Sequence, residues 1–135
     1  EEDRPASPQQ IAAGVVSAKA EWMSDAELHL LLSILPGFHI NAHEPLGEMP
    51  LIATNLTVEG AIAEIEYPPG ELQGFAFASD AIRVYDGDVT ILLRFTSPPL
   101  PDSRVRLNLS YQACDENACF PPVAKQIEID VPSLH

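Results

Sequence analysis

Apolar and polar residues alternate along most of this chain in short runs. Ala61-Ile62-Ala63-Glu64-Ile65-Glu66-Tyr67 repeats with a period of two until Pro68-Pro69-Gly70 stops it. Arg104 to Tyr111 does the same and sets Val105, Leu107, Leu109 and Tyr111 on one face. Val123 to Val131 closes the series with Ile127, Ile129 and Val131 in step. Such a period marks a strand with one buried and one wet face. Further strand-like runs are Val15 to Trp22, Glu27 to Leu35, Phe38 to Asn41, Leu51 to Val58, Ala81 to Tyr85 and Val89 to Phe95. Glycine, proline, serine or aspartate punctuates them, and Asp86-Gly87-Asp88 is a hairpin signal. Only Ala12 to Met23 and Ser24 to Leu32 offer a helical alternative, the second through the capping-box form Ser24-x-x-Glu27. Eight or nine short strands at this spacing predict an all-β chain with the architecture of an immunoglobulin-like β-sandwich. Residues 1–13 read as a flexible lead-in, and 14–135 as a single domain.

Composition narrows the possible roles. The chain has 135 residues, 46% of them apolar, enough for a core that needs no disulfide staples. Twenty acidic against seven basic residues give a formal net charge of −13. That charge repels phosphate backbones and anionic lipid, so no nucleic acid is expected among the partners. No run reaches the roughly 18 apolar residues that would suggest a membrane helix. The opening Glu1-Glu2-Asp3-Arg4-Pro5 lacks a basic region followed by an apolar one, and reads as a mature or trimmed start.

The two cysteines change the picture most. Cys114 and Cys119 enclose only Asp115-Glu116-Asn117-Ala118. An oxidised ring of that size is worth roughly 2 kcal/mol in loop entropy, near the low end for disulfides. Short-range pairs more often serve exchange chemistry than structure. Cys114 follows a strand, and Cys119 precedes Phe120 and the pair Pro121-Pro122, which cannot continue a ladder. The thiols would therefore face each other across a tight connection at a sheet edge, exposed enough for another protein to reach.

The segment Tyr111-Gln112-Ala113-Cys114-x4-Cys119-Phe120-Pro121-Pro122 resembles the active-site motif of the disulfide-bond-corrector family, the N-terminal periplasmic domains of DsbD. Gly37-Phe38-His39-Ile40-Asn41-Ala42, Leu51-Ile52-Ala53-Thr54 and Val84-Tyr85-Asp86-Gly87-Asp88-Val89 resemble three further stretches of that family in the same order. The similarity spans about Val15 to Val131. It implies an immunoglobulin-like fold, a periplasmic location with tethering to the inner membrane within a longer chain, and protein-disulfide reductase activity without a cofactor. Electrons would come from a membrane-embedded reductase domain. They would pass to periplasmic thioredoxin-like oxidoreductases through transient mixed disulfides, with the domain acting as a monomer. By the same resemblance Cys119 forms the mixed disulfide and Cys114 resolves it. A cap loop at Leu72-Gln73-Gly74-Phe75-Ala76-Phe77 would place Phe75 or Phe77 over the sulfurs, and His39 and Asn41 would lie near them, placed to relay a proton.

The residues themselves add detail and keep alternatives open. No Lys, Arg or His adjoins either cysteine, whereas Asp115 and Glu116 do, and acidic neighbours raise a thiol pKa. The resting thiols should not be strongly activated, so docking and movement of the cap would supply reactivity. Tyr111 should pack inward and Gln112 should orient the cysteine loop. His39 and His43 with both cysteines make a nominal Cys2His2 set, but Pro36-Gly37 and Pro45 argue against the helix that would bring the histidines together, and no metal site is expected. Phe75 and Phe77 alternate with alanines and could instead be core. The alternative for the whole chain is a non-catalytic immunoglobulin-like binding module with a structural disulfide.

Overall fold

The computed structural model describes residues 7–45, 51–75 and 81–133. The chain runs through α1 (Pro8–Val15), β1 (Val16–Trp22), β2 (Glu27–Ile34), β3 (His39–Asn41), β4 (Asn55–Glu59) and β5 (Ala63–Glu66). It continues through β6 (Glu71–Gln73), β7 (Ile82–Tyr85), β8 (Asp88–Phe95), β9 (Arg104–Tyr111), β10 (Ala113–Cys114) and β11 (Val123–Asp130). Among the described residues, every strand pairing is antiparallel.

The strands form three sheets, ordered β1-β2-β8-β5, β11-β9-β4 and β10-β3-β7-β6. Strand β9 reaches β10 across Gln112 alone, so the second and third sheets share one run of chain. Leu28, Leu30, Leu32, Ile91 and Leu93 of the first sheet join Val105, Leu107, Leu109 and Tyr111 of β9 and Ile40 and Tyr85 of the third sheet in one core. This is the all-β, immunoglobulin-like sandwich that the alternation predicts. Burying one such leucine stabilises the fold by roughly 1.5–3 kcal/mol. A single core side chain therefore matches the whole contribution of the cysteine ring, and the core, not the disulfide, holds the molecule together.

Two expectations change, and one alternative is decided in favour of the strands. From Pro8 on, the segment read as a flexible lead-in is helical. Ser7 caps α1 by accepting from the Gln10 amide, Gln10 caps it in return, and Pro8 sits in the first turn. Ala12 and Val15 anchor the helix in the core. Its C-terminal carbonyls are capped from far along the chain: Tyr111 donates to Ala12 O, and Lys125 Nζ donates to Ala13 O and Val16 O. The helical alternative for 12–32 gives way to β1 and β2 beyond Val15, and Ser24 accepts from the Ala26 amide in their connecting turn. Finally, Asp86-Gly87-Asp88 makes a tight turn but no hairpin. Strand β7 pairs with β3 and β6, whereas β8 pairs with β2 and β5, so the turn carries the chain from one sheet to another. Gly87, at φ +63°, supplies the backbone conformation the turn needs.

Within the third sheet, β3 and β10 are wholly buried and β7 nearly so, while β6 forms an exposed edge. Ile40 and Tyr85, opposite each other, join the main core. His39, Asn41, Ile82, Val84 and Cys114 are buried as well but lie outside that core cluster. Gly70 shows how tightly this layer is covered. Its φ is +78°, and a Cβ there would stand 2.9 Å from both Ala42 Cβ and Val84 O.

Candidate active site

Cys114 and Cys119 face each other as an antiparallel pair at the β10 edge of the third sheet. Phe120 N donates to Ala113 O and Asp115 N donates to Ala118 O on either side of them. That ladder leaves the cysteines as a non-hydrogen-bonded pair, the arrangement that brings opposed side chains closest. Their Cα atoms are 3.9 Å apart and their sulfurs are bonded. The four residues between them close through Asp115, whose Oδ1 accepts from the amides of Asn117 and Ala118. Those two donors hold its carboxyl below the ordinary carboxylate pKa.

The two cysteines are not equivalent. Cys114 has no exposed surface, whereas Cys119 is partly exposed. Asp115 is also partly exposed, and Glu116, Asn117 and Ala118 are exposed. An attacking sulfur can therefore approach from the Cys119 side, while Cys114 is screened by the sheet.

The register places the remaining residues. His39 is the cross-strand partner of Cys114, and Ile40 that of Ala113. Side chains of directly opposed residues share a face, so His39, Cys114 and Cys119 lie together on the outer face of the sheet. His39 is only 4% exposed. The ring of Phe75 stacks on its imidazole with centroids 4.1 Å apart. Burial pushes the His39 pKa down, while Asp86 and Asp115 pull it up by a lesser amount. Of the two phenylalanines expected near the sulfurs, Phe75 packs on His39, and Phe77 lies outside the described residues.

Asn41 follows His39 on the same face but is held for a different purpose. Its Nδ2 donates to Ile52 O and to Gln112 Oε1, and Thr54 Oγ1 donates to Asn41 O. Gln112 in turn donates to Phe120 O at 3.4 Å, linking Asn41 to the chain just past Cys119. Tyr111 is fully buried beneath the site, with its hydroxyl on Ala12 O and its pKa pushed up to about 12 by burial. His43 is turned elsewhere: it contacts Thr54 O and stacks on Tyr67. Among the described residues, no three His, Cys, Asp or Glu side chains are grouped to hold a metal ion.

Sequence reasoning passed over three residues here. Phe38 and Phe120 stack tilted with centroids 5.8 Å apart, flanking His39 and Cys119. Adjacency to those residues in sequence was the available signal. Asp86 joins Gly37, Phe38, His39, Gln73, Gly74, Phe75, Glu116 and Asn117 around an open groove of about 470 Å³ beside the cysteine loop. Nothing in the sequence pattern brings Asp86 there, because its turn was read as a hairpin. A groove of about 540 Å³, lined by Trp22, Met23, Pro98 to Pro101 and Val131, opens at the opposite end of β9 and β11 and holds neither cysteine nor histidine.

Residues 7–131 match the sequence model of the family described as thiol:disulfide interchange protein DsbD, N-terminal. The match takes in α1, ahead of the Val15 at which the motif resemblance begins. No curated protein sequence matches the chain. Among solved structures, the reduced DsbD N-terminal domain of Neisseria meningitidis is similar at a TM-score of 0.65 and 16% identity, covering 87% of this chain and 86% of that one. The N-terminal periplasmic domain of ScsB from Proteus mirabilis gives 0.62 and 21% identity, covering 86% of this chain but 45% of that one. A Neisseria meningitidis complex between the DsbD and PilB N-terminal domains gives 0.59 and 15% identity, over 84% and 80%. At these identities the likeness establishes the fold.

Proposed function

Since this chain belongs to the family of N-terminal domains of the thiol:disulfide interchange protein DsbD, we propose that it carries electrons in the periplasm from a membrane-embedded reductase domain to thioredoxin-like oxidoreductases. Its chemistry is thiol–disulfide exchange through Cys114 and Cys119. The observation that carries the reading is the asymmetry of the pair, a partly exposed Cys119 bonded to a wholly buried Cys114.

In the proposed cycle a thiolate of the electron donor attacks Cys119 Sγ, the sulfur it can reach. The Cys114–Cys119 bond breaks, Cys114 leaves with the electron pair, and a mixed disulfide forms at Cys119. The donor's second thiolate attacks its own sulfur in that bond and releases the reduced domain. Toward an acceptor the order reverses: Cys119 thiolate opens the acceptor's disulfide, and Cys114 resolves the mixed disulfide by attacking Cys119 Sγ. Stacking of Phe75 on His39 supports a cap role for the Phe75 segment, closed over the buried side of the pair. The relative that forms a complex with a PilB N-terminal domain supports another redox domain as partner. Periplasmic location rests on family membership and on the periplasmic ScsB domain of similar fold.

The test is trapping. A Cys114→Ala variant, mixed with an oxidised thioredoxin-like oxidoreductase, is expected to accumulate a covalent adduct through Cys119 that a reductant dissolves. A Cys119→Ala variant is expected to trap little, because its remaining sulfur is buried. Adduct through Cys114 alone would reverse the assigned roles. No adduct from either variant, together with a wild-type disulfide that dithiols leave intact, would reduce the pair to a structural ring.

A further inference from the structure

Breaking the Cys114–Cys119 bond creates a problem that the fold must solve. Cys114 leaves as a thiolate at a position with no exposed surface, and an uncompensated buried charge is costly. Water cannot supply the proton directly. We propose that His39 is the proton donor to Cys114 when the disulfide opens, and the base that takes that proton back when Cys114 resolves a mixed disulfide.

The geometry singles out His39. It stands directly across β3–β10 from Cys114, on the same face and with Cβ atoms roughly 5 Å away by the spacing of such pairs. Among the described residues, the other polar groups nearby are poorly suited to hand Cys114 a proton. Asn41 has an amide, with no proton to give near neutral pH, and it is held by Ile52 O and Gln112. Asp115 is kept ionised by two backbone amides. Tyr111 belongs to the core face and bonds Ala12 O, while Lys125 bonds Ala13 O and Val16 O. Among the described residues, the charged groups facing His39 are the carboxylates of Asp86, in the β7–β8 turn, and Asp115, after β10, with Glu116 on the rim of the groove it shares. They favour its protonated form, while burial under Phe75 opposes it.

The step balances simply. A dithiol's thiolate sulfur bonds to Cys119 Sγ, and the Cys114–Cys119 bond breaks heterolytically. Cys114 takes the electron pair and the imidazolium proton, leaving a thiol and a neutral His39. In the resolving direction His39 accepts that proton, and the freed Cys114 thiolate attacks Cys119 Sγ, expelling the acceptor's sulfur. The pair is thereby reduced or reoxidised without a buried thiolate persisting.

This assignment rests on the exchange role proposed above, and a small neutral dithiol separates the two. The rate of reduction of the oxidised domain by dithiothreitol, divided by the reagent's thiolate fraction, is followed from pH 4.5 to 8 for wild type and His39→Gln. Since burial sets the His39 pKa below its ordinary 6.5, the protonated donor is present at low pH and is lost as pH rises through the lowered folded pKa. The wild-type-to-variant ratio should therefore reach roughly tenfold or more at the acid end, the low side for a positioned proton donor, and approach one above neutrality. A ratio that differs from one but is flat with pH would make His39 merely structural and overturn the proposal, as would a ratio of one throughout. Should His39→Gln fail to fold, the corrected wild-type profile decides alone, since it must rise toward acid and a flat profile would refute the donor. If wild type does not react at any pH, the exchange role itself fails.

Discussion

Strands β9 and β3 bury side chains in two different ways, and the contrast locates the chemistry. On β9, Val105, Leu107, Leu109 and Tyr111 go inward and the residues between them stay at least partly exposed. On β3 every residue is buried, including His39 and Asn41. A strand with one dry face needs only a hydrophobic partner across the sandwich. A strand with two dry faces needs a second cover, and here Phe75 and the chain at Ile52 and Thr54 provide contacts to it. Polar residues under such a cover are expensive unless satisfied or used. Asn41 is largely satisfied, through its side-chain amide and main-chain carbonyl. His39 stands opposite Cys114 and packs under the Phe75 ring. The one-faced region stabilises, and the two-faced region buries Cys114 while Cys119 stays partly exposed.

Substitutions should separate these regions cleanly. The largest effect is expected from Leu107→Ala in β9, where a fully buried side chain leaves a cavity worth about 2–5 kcal/mol. Denaturant unfolding should show that loss, while the exchange rate of the folded fraction stays unchanged. A comparable change in exchange rate would mean the two regions are coupled after all. Phe75→Ala should do the reverse. Its stacked pair accounts for less than about 1.5 kcal/mol of stability, but reduction of the disulfide by a small thiol should speed up severalfold as access to the sulfurs improves. An unchanged rate would remove Phe75 from the cap.

The smallest effect concerns the loop between the cysteines. The Asp115 carboxylate pKa is lowered in the fold, so its hold on Asn117 and Ala118 is complete above the unfolded value of 3.8 and lost as pH falls through the lower folded value. The amide resonances of Asn117 and Ala118 should titrate together in that acid window, with β9 unaffected. Independent titration of the two amides would show that Asp115 does not organise the loop.

Legibility in the sequence followed the same divide. Strand β9 could be read residue by residue because a one-faced strand writes its environment as a period of two. Strands β6 and β10 could not, since two or three residues carry no period. The helix α1 was readable in principle from Ser7-Pro8-Gln9-Gln10 but was masked by a composition that resembles a linker. The Asp86-Gly87-Asp88 turn was recognised, yet a tight turn does not say whether the next strand returns to the same sheet or crosses to the other. The cysteine pair was visible from its spacing, and the unequal roles of the two sulfurs came from family resemblance.

By itself, then, the sequence determined the all-β alternation, the apolar residues that fill the sandwich, the acidic charge and the short cysteine ring, because each is a property of neighbours along the chain. Only the tertiary structure decided that Cys114 is buried while Cys119 reaches solvent, that His39 stands opposite Cys114, and that Phe75 lies on His39. Those relations join β3, β10 and the segment after β6, which are far apart in sequence. Strand register and the second covering layer fix them, and no local pattern records either.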